Sequence, residues 1–166
     1  MTIDRRRGLE QGDALTLIRA EHAMIVASLD DLAAGRWRAR TASKKLVAIC
    51  NAIHRHAQVE RELLYPALRG RGRDDDVLDS ARVEHRTMEE LIGELLNGKS
   101  RDGLRAARIE ALAMYAAHHF RDEEEQIFPL ARSAGIDLAA LGRRMESRSA
   151  ELETVDYPVC RERKSA

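Results

Sequence analysis

Two segments of the chain place a histidine four residues before a glutamate and a proline six residues after that glutamate: His56-Ala-Gln-Val-Glu60 with Pro66, and His119-Phe-Arg-Asp-Glu123 with Pro129. Residues four apart lie one turn apart on one face of a helix, so both side chains of each pair can reach a common centre. Imidazole nitrogen and carboxylate oxygen are metal donors. A repeated donor pair suggests a pseudo-symmetric site for two ions.

Helices must hold these residues. Hydrophobic residues make up 44% of the 166-residue chain, charged residues 34% and aromatics only 4%; Ala, Leu, Arg and Glu outnumber Val and Ile, which favours helix over sheet. Asp13 can cap a first helix that runs to about Ala34 and stops at Gly35. A second starts after Thr41 or Ser43 and runs to about Arg69, where Gly70-Arg71-Gly72 breaks it. Asp74-Asp75-Asp76 places acid at the start of a third, which ends at Asn97-Gly98. A fourth runs from Gly103 or Leu104 to Ser133, ended by Gly135, and Asp137 can cap a fifth that reaches about Glu153. Pro66 and Pro129 are expected to kink or end the regular hydrogen bonding near one end of the bundle. Short connections imply antiparallel neighbours. The expected fold is all-α: an up-down-up-down antiparallel four-helix bundle with an additional C-terminal helix. Residues 1–12 form a tail, 13–134 the bundle, and 135–166 the added helix and its tail.

Steps of three and four trace an apolar stripe on each helix. The first reads Leu15, Ile18, His22, Ile25, Leu29, Leu32, and the second Leu46, Ile49, Ile53, His56, Glu60, Leu63, Ala67. The third reads Leu78, Ala81, His85, Met88, Ile92, Leu95. The fourth reads Ile109, Leu112, Ala116, His119, Glu123, Ile127, Leu130, with one slipped step near its end. All four are apolar except at one level, which carries His22, His56 with Glu60, His85, and His119 with Glu123. A lone histidine on an apolar face is ordinarily a satisfied core residue. Six residues of metal-ligand type, with no Ser, Thr, Gln or Lys among them, are different, because unpartnered buried charge is costly. The His119–Glu123 pair lies further along its helix than the others, so that helix either starts a few residues late or overhangs the bundle.

Four imidazole nitrogens and four carboxylate oxygens, with both carboxylates bridging, give each of two ions four protein donors. A bridging water or hydroxide makes five and leaves an open position. Mixed imidazole and carboxylate ligation with open positions suits iron, and zinc or manganese less well. The ferritin-type pattern, Glu-x-x-His on two helices, is absent from the stripes.

The neighbouring residues read as follows. His54 points away from His56 and belongs on the surface, and His118 flanks His119 without ligating. Glu89 is either a seventh ligand or a bundle-edge charge, the latter favoured. Tyr115 is either a phenol near the metals or a packed bundle tyrosine. Glu62, Glu124 and Glu125 read as exposed charge; Met24, Met88 and Met114 read as core filling. Formal net charge is zero, which offers nothing to nucleic acid or an anionic membrane. Cys50 and Cys160 form neither a metal spacing nor a disulfide framework. No apolar run is long enough for a signal or a membrane span, so a cytoplasmic location is expected. The fifth helix could pack on its own bundle or on a second chain as a homodimer.

The first-helix His22, the two His-x-x-x-Glu…Pro segments and Glu84-His85 together resemble the hemerythrin-like, or HHE cation-binding, domains over roughly residues 14 to 132. The resemblance implies that His22, His56, Glu60, His85, His119 and Glu123 ligate a non-haem di-iron centre, with a bridging oxo or hydroxo group. Oxygen-carrying members have two histidines one turn apart on the third helix and a His…Asp pair on the fourth. Here Glu89 stands where the second histidine of the third helix would be, and the fourth helix offers Glu123. The chain thus looks like a four-His, two-Glu variant, closer to di-iron repair and sensor members than to oxygen carriers. The implied function is binding or sensing of a small diatomic or peroxide ligand: dioxygen, nitric oxide or hydrogen peroxide. The alternatives are a di-iron enzyme of peroxide turnover or iron–sulfur cluster repair, and a bundle stapled by structural zinc.

Overall fold

The computed structural model describes residues 12–71, 75–96 and 103–153, and all of its regular elements are helical. Helix α1 is Ala14–Ala33. Helix α2 spans 39–68, in which a π-helical turn, Glu60–Leu64, joins Ala39–Val59 to Tyr65–Leu68. Helix α3 is Asp75–Leu96. Helix α4 spans 105–133, again with a π turn, Glu123–Ile127, between Arg105–Asp122 and Phe128–Ser133. Helix α5 is Leu138–Glu153. Residues 1–11 of the N-terminal tail, Gly72, Asp74, the expected stop at Asn97-Gly98, Pro158 and Cys160 lie outside the described residues.

The ends of these helices follow local chemistry. Asp13 caps α1 by accepting the amide of Thr16 at 2.9 Å, and Asp137 does the same for Ala140 at the start of α5, also at 2.9 Å. Helix α2 begins at Ala39, earlier than expected. Its cap, Arg38, makes no side-chain bond; the first turn closes on backbone alone, through the Ala42 amide and the Arg38 carbonyl. Gly70 and Gly135 follow α2 and α4 with φ of 74° and 66°, a left-handed conformation that glycine adopts without steric cost.

The two π turns are the main departure from the expected regular helices. Each begins at a glutamate of the polar level and closes with a bond across five residues: Tyr65 N–H to Glu60 O, and Phe128 N–H to Glu123 O. Pro66 and Pro129 come next. A proline ring crowds the carbonyl four residues back and has no N–H to bond it, so the preceding turn widens and the helix continues. The extra residue advances the buried face. Leu64, Tyr65 and Leu68 are buried where Leu63 and Ala67 were expected, and Phe128 and Ala131 are buried ahead of Leu130. This is the slipped step seen in the fourth stripe.

Helices α1, α2, α3 and α4 neighbour one another in a closed ring, and α5 lies across α1 and α2. Every residue of the first and third stripes is buried. Met88 is in the core, but Met24 and Met114 are exposed, Met114 at 74%; both lie off the apolar phase of their helices, and hydrophobicity alone misassigned them. Of the two placements open to the fifth helix, the structure has α5 packed on its own bundle, with Leu141, Met145 and Leu152 buried. Gly142 is the tight point of that docking. A Cβ there would lie 2.9 Å from the Ala14 amide nitrogen and 3.0 Å from the Gly12 carbonyl oxygen. Among the described residues, no helix is long and apolar enough to cross a membrane.

Gly142→Ala must push α5 off the start of α1. Urea unfolding is expected to show a loss of about 1–3 kcal/mol, the usual range for overpacking; an unchanged midpoint would mean that this contact yields freely.

Candidate metal centre

All six residues of the polar level are brought together, one histidine from each of α1 to α4 and the glutamates from the two π turns. His22, His56, Glu60, His85, His119 and Glu123 are each buried, with Glu60 and His85 at 0% exposure. The late-start explanation for α4 is excluded, since that helix begins at Arg105.

The inward atoms are Nε2 of the four histidines and carboxylate oxygens of the two glutamates. Nε2 of His22 is 3.3 Å from Oε2 of Glu123, Nε2 of His56 is 3.2 Å from Oε1 of Glu60, and Nε2 of His85 is 3.3 Å from Oε2 of Glu60. Nε2 of His119 is 3.9 Å from Oε2 of Glu123. None of the four nitrogens makes a hydrogen bond, nor do Oε1 of Glu60 and Oε2 of Glu123. Apart from Nδ1 of His85 and one oxygen of Asn51, these are the buried side-chain polar atoms without a partner among the described residues. Two donors about 2.1 Å from one ion and at right angles are about 3 Å apart. The spacing and the unbonded lone pairs therefore fit a metal ion better than a protein hydrogen-bond network.

The outward edges of three rings are held. Nδ1 of His22 meets Glu124 at 2.9 Å, Nδ1 of His56 meets Glu21 at 2.8 Å, and Nδ1 of His119 meets Glu84 at 2.6 Å. A carboxylate on Nδ1 keeps the proton there and turns the Nε2 lone pair inward. His22 also stacks on Phe120, with ring centroids 4.0 Å apart.

Tyr65 completes the site. It is buried, stacks on His85, and aims its hydroxyl at both glutamates, 3.3 Å from Oε2 of Glu60 and 3.4 Å from Oε1 of Glu123. The π turn rotates it inward, which a regular period could not foresee. The available signal was an aromatic residue directly before each repeated proline: Tyr65-Pro66 and Phe128-Pro129. The three outer carboxylates were also missed, and Glu124, read as exposed charge, is half-buried with bonds to His22 and Arg19. Their signal was position, since Glu21, Glu84 and Glu124 each adjoin a residue of the polar level.

The other candidates are not among the converging donors. Glu89 bonds Arg61 at 2.8 Å and lies 3.3 Å from His54, so it is an ion-paired charge at the bundle side. His54 is half-buried there. His118 is exposed and pairs with Asp122, and Tyr115 is exposed, neither near the centre nor packed in the core. Glu62 binds Arg148 of α5.

Electrostatics follow from the burial. Burial and the charges of Glu123 and Glu21 push the Glu60 carboxyl well above the usual carboxylate range. Burial acts on Glu123 in the same direction, but the surrounding His22, His119 and His56 outweigh it and hold it low. Burial, then His119, His56 and Arg61, drive His85 well below its ordinary value, so its ring is neutral with a lone pair available. Burial and the two carboxylates push the Tyr65 phenol up, which keeps its proton in place as a donor.

A helical bundle with a buried histidine–glutamate cluster that could hold metal is the class of protein that this geometry defines. The family model for the hemerythrin HHE cation binding domain matches residues 13–131, more than half of the chain, and the chain belongs to that family. No curated protein and no solved structure matches it.

In the metal-free protein the raised Glu60 has a defined cost. Its folded form keeps a proton that the unfolded chain releases above the ordinary value of 4.5, so wild-type stability falls as pH rises from there. Glu60→Gln is expected to stabilise the metal-free protein at neutral pH. The gain should shrink by up to about 1.4 kcal/mol per pH unit on acidification and vanish near pH 4.5. Thermal unfolding across that range checks it; a gain that does not depend on pH would contradict the assignment.

Proposed function

We propose that this hemerythrin-family chain holds a non-haem di-iron centre on His22, His56, Glu60, His85, His119 and Glu123, and that it binds or senses a small diatomic or peroxide ligand there. The observation that carries the reading is the convergence of six buried, unbonded donor atoms, one from each residue. The two glutamates and four histidines would together hold the ions. Bound iron would supply open coordination positions and one-electron redox chemistry.

The chain's own residues do the rest. Glu21, Glu84 and Glu124 fix three imidazoles so that the ring positions do not depend on the ion. Apolar neighbours, among them Ile18, Ile25, Ile53, Met88 and Ile127, keep bulk water from the centre. Tyr65 holds a proton against both carboxylates, where it can hydrogen-bond a small guest. That donor beside the carboxylates is the feature that supports a second reading, turnover of peroxide. The reading takes the bundle as up-down-up-down, residues 13–134 as the metal-holding domain, and 135–166 as an added helix and tail.

Iron-replete expression followed by metal analysis and optical spectroscopy tests the centre. The expected result is two irons per chain with a near-ultraviolet band, and loss of at least one of them in His119→Ala. Zinc alone, with no such band, would leave only a structural staple. Peroxide turnover that survives His119→Ala unchanged would remove this centre from any enzymatic role.

A further inference from the structure

The chain repeats itself around the centre, and the repeat is broken at one position. Helices α1 and α2 supply Glu21-His22 and His56…Glu60-Arg61; α3 and α4 supply Glu84-His85 and His119…Glu123-Glu124. The outer carboxylates obey the same repeat. Glu21 reaches from α1 to His56 on α2, and Glu84 makes the equivalent reach from α3 to His119 on α4. Glu124 reaches from α4 to His22 on α1. The fourth contact would run from position 61 on α2 to His85 on α3. Position 61 is Arg, bonded to Glu89 instead, and Nδ1 of the fully buried His85 has no partner.

The break falls on one of the two donor groups. The donors form two groups whose atoms lie within 4.8 Å of one another: His22, His56, Glu60 and Glu123 in the first, and Glu60, His85 and His119 in the second. Both imidazoles of the first group give Nδ1–H to a carboxylate, which raises the basicity of Nε2. In the second only His119 does, and the Arg61 cation lies on the side of His85. Glu123 leans toward the first group, 3.3 Å from His22 against 3.9 Å from His119. Neither group is set apart by access: a cleft of about 280 Å³ between α3 and α4 is lined by His119 of the second group and Glu123 of the first, and another of about 400 Å³ is lined by His22 of the first.

We propose that the two metal positions are inequivalent: the one between Glu60, His85 and His119 binds its ion more weakly and fills second, because Arg61 stands where the repeat calls for a carboxylate. This rests on the two-ion reading above. Loss of an outer partner typically lowers metal affinity about 10–100-fold, which sets the expected separation of the two steps.

Metal-free protein titrated anaerobically with Co(II), followed by visible absorption and chelator competition, tests the proposal. Two equivalents should bind in two resolved steps, the second weaker by about tenfold or more. Arg61→Glu should strengthen the second step and spare the first, and Arg61→Gln, which removes the cation without adding a carboxylate, should fall between. Glu84→Gln should weaken the second step alone and widen the gap. Thermal unfolding of the metal-free variants separates misfolding from altered affinity, and Glu84→Gln decides the matter if Arg61→Glu does not fold. Two equivalents bound with equal affinity, or a Glu84→Gln effect on the first step, would overturn the inequivalence and leave the two-ion centre standing. A wild-type endpoint of one ion or none would overturn that centre as well.

Discussion

Within the bundle, four imidazole nitrogens and two carboxylate oxygens face one another with no protein hydrogen bond between them. Taking such groups out of water is unfavourable unless something replaces the lost solvation. The surrounding architecture meets that constraint from two sides. Above and below the polar level the stripes are apolar, so the cost is confined to a single layer. Outside it, Glu21, Glu84 and Glu124 bond the far edges of three rings, which leaves the inward lone pairs and Nδ1 of His85 to be satisfied.

The same constraint explains which parts of the molecule were legible in its sequence. The six inward residues interrupt apolar stripes, and that contrast can be read without coordinates. Asp13, Gly35, Gly70, Gly135 and Asp137 mark helix ends by side-chain chemistry or backbone freedom, and those also read correctly. Tyr65 did not, because its inward turn depends on a five-residue hydrogen bond that a fixed helical period does not contain. The outer carboxylates were hidden for a different reason. A glutamate beside a stripe has the same local sequence whether it faces solvent or a histidine on the next helix. Met24 and Met114 are hydrophobic but lie off the apolar phase of their helices, and phase decides burial.

The π turns unite these points. Each places a glutamate at the start of a widened turn and an aromatic ring at its close, ahead of a proline that prevents a regular turn from forming. In α2 the ring is Tyr65, whose hydroxyl meets both glutamates. In α4 it is Phe128, buried, with the Arg19 guanidinium 5.2 Å above its ring. One backbone device, used twice, thus contributes a polar group to the centre on one side and apolar cover on the other.

The division of donors between helices has a consequence for assembly. The α1–α2 pair carries His22, His56 and Glu60, but the group they belong to is completed by Glu123 of α4. The α3–α4 pair carries His85 and His119, whose group is completed by Glu60 of α2. Neither pair contains a whole donor set, so an ion held by either group would cross-link the two halves. Metal capture would then register that the pairs have docked, and pulling the halves apart would separate the donors of both groups together.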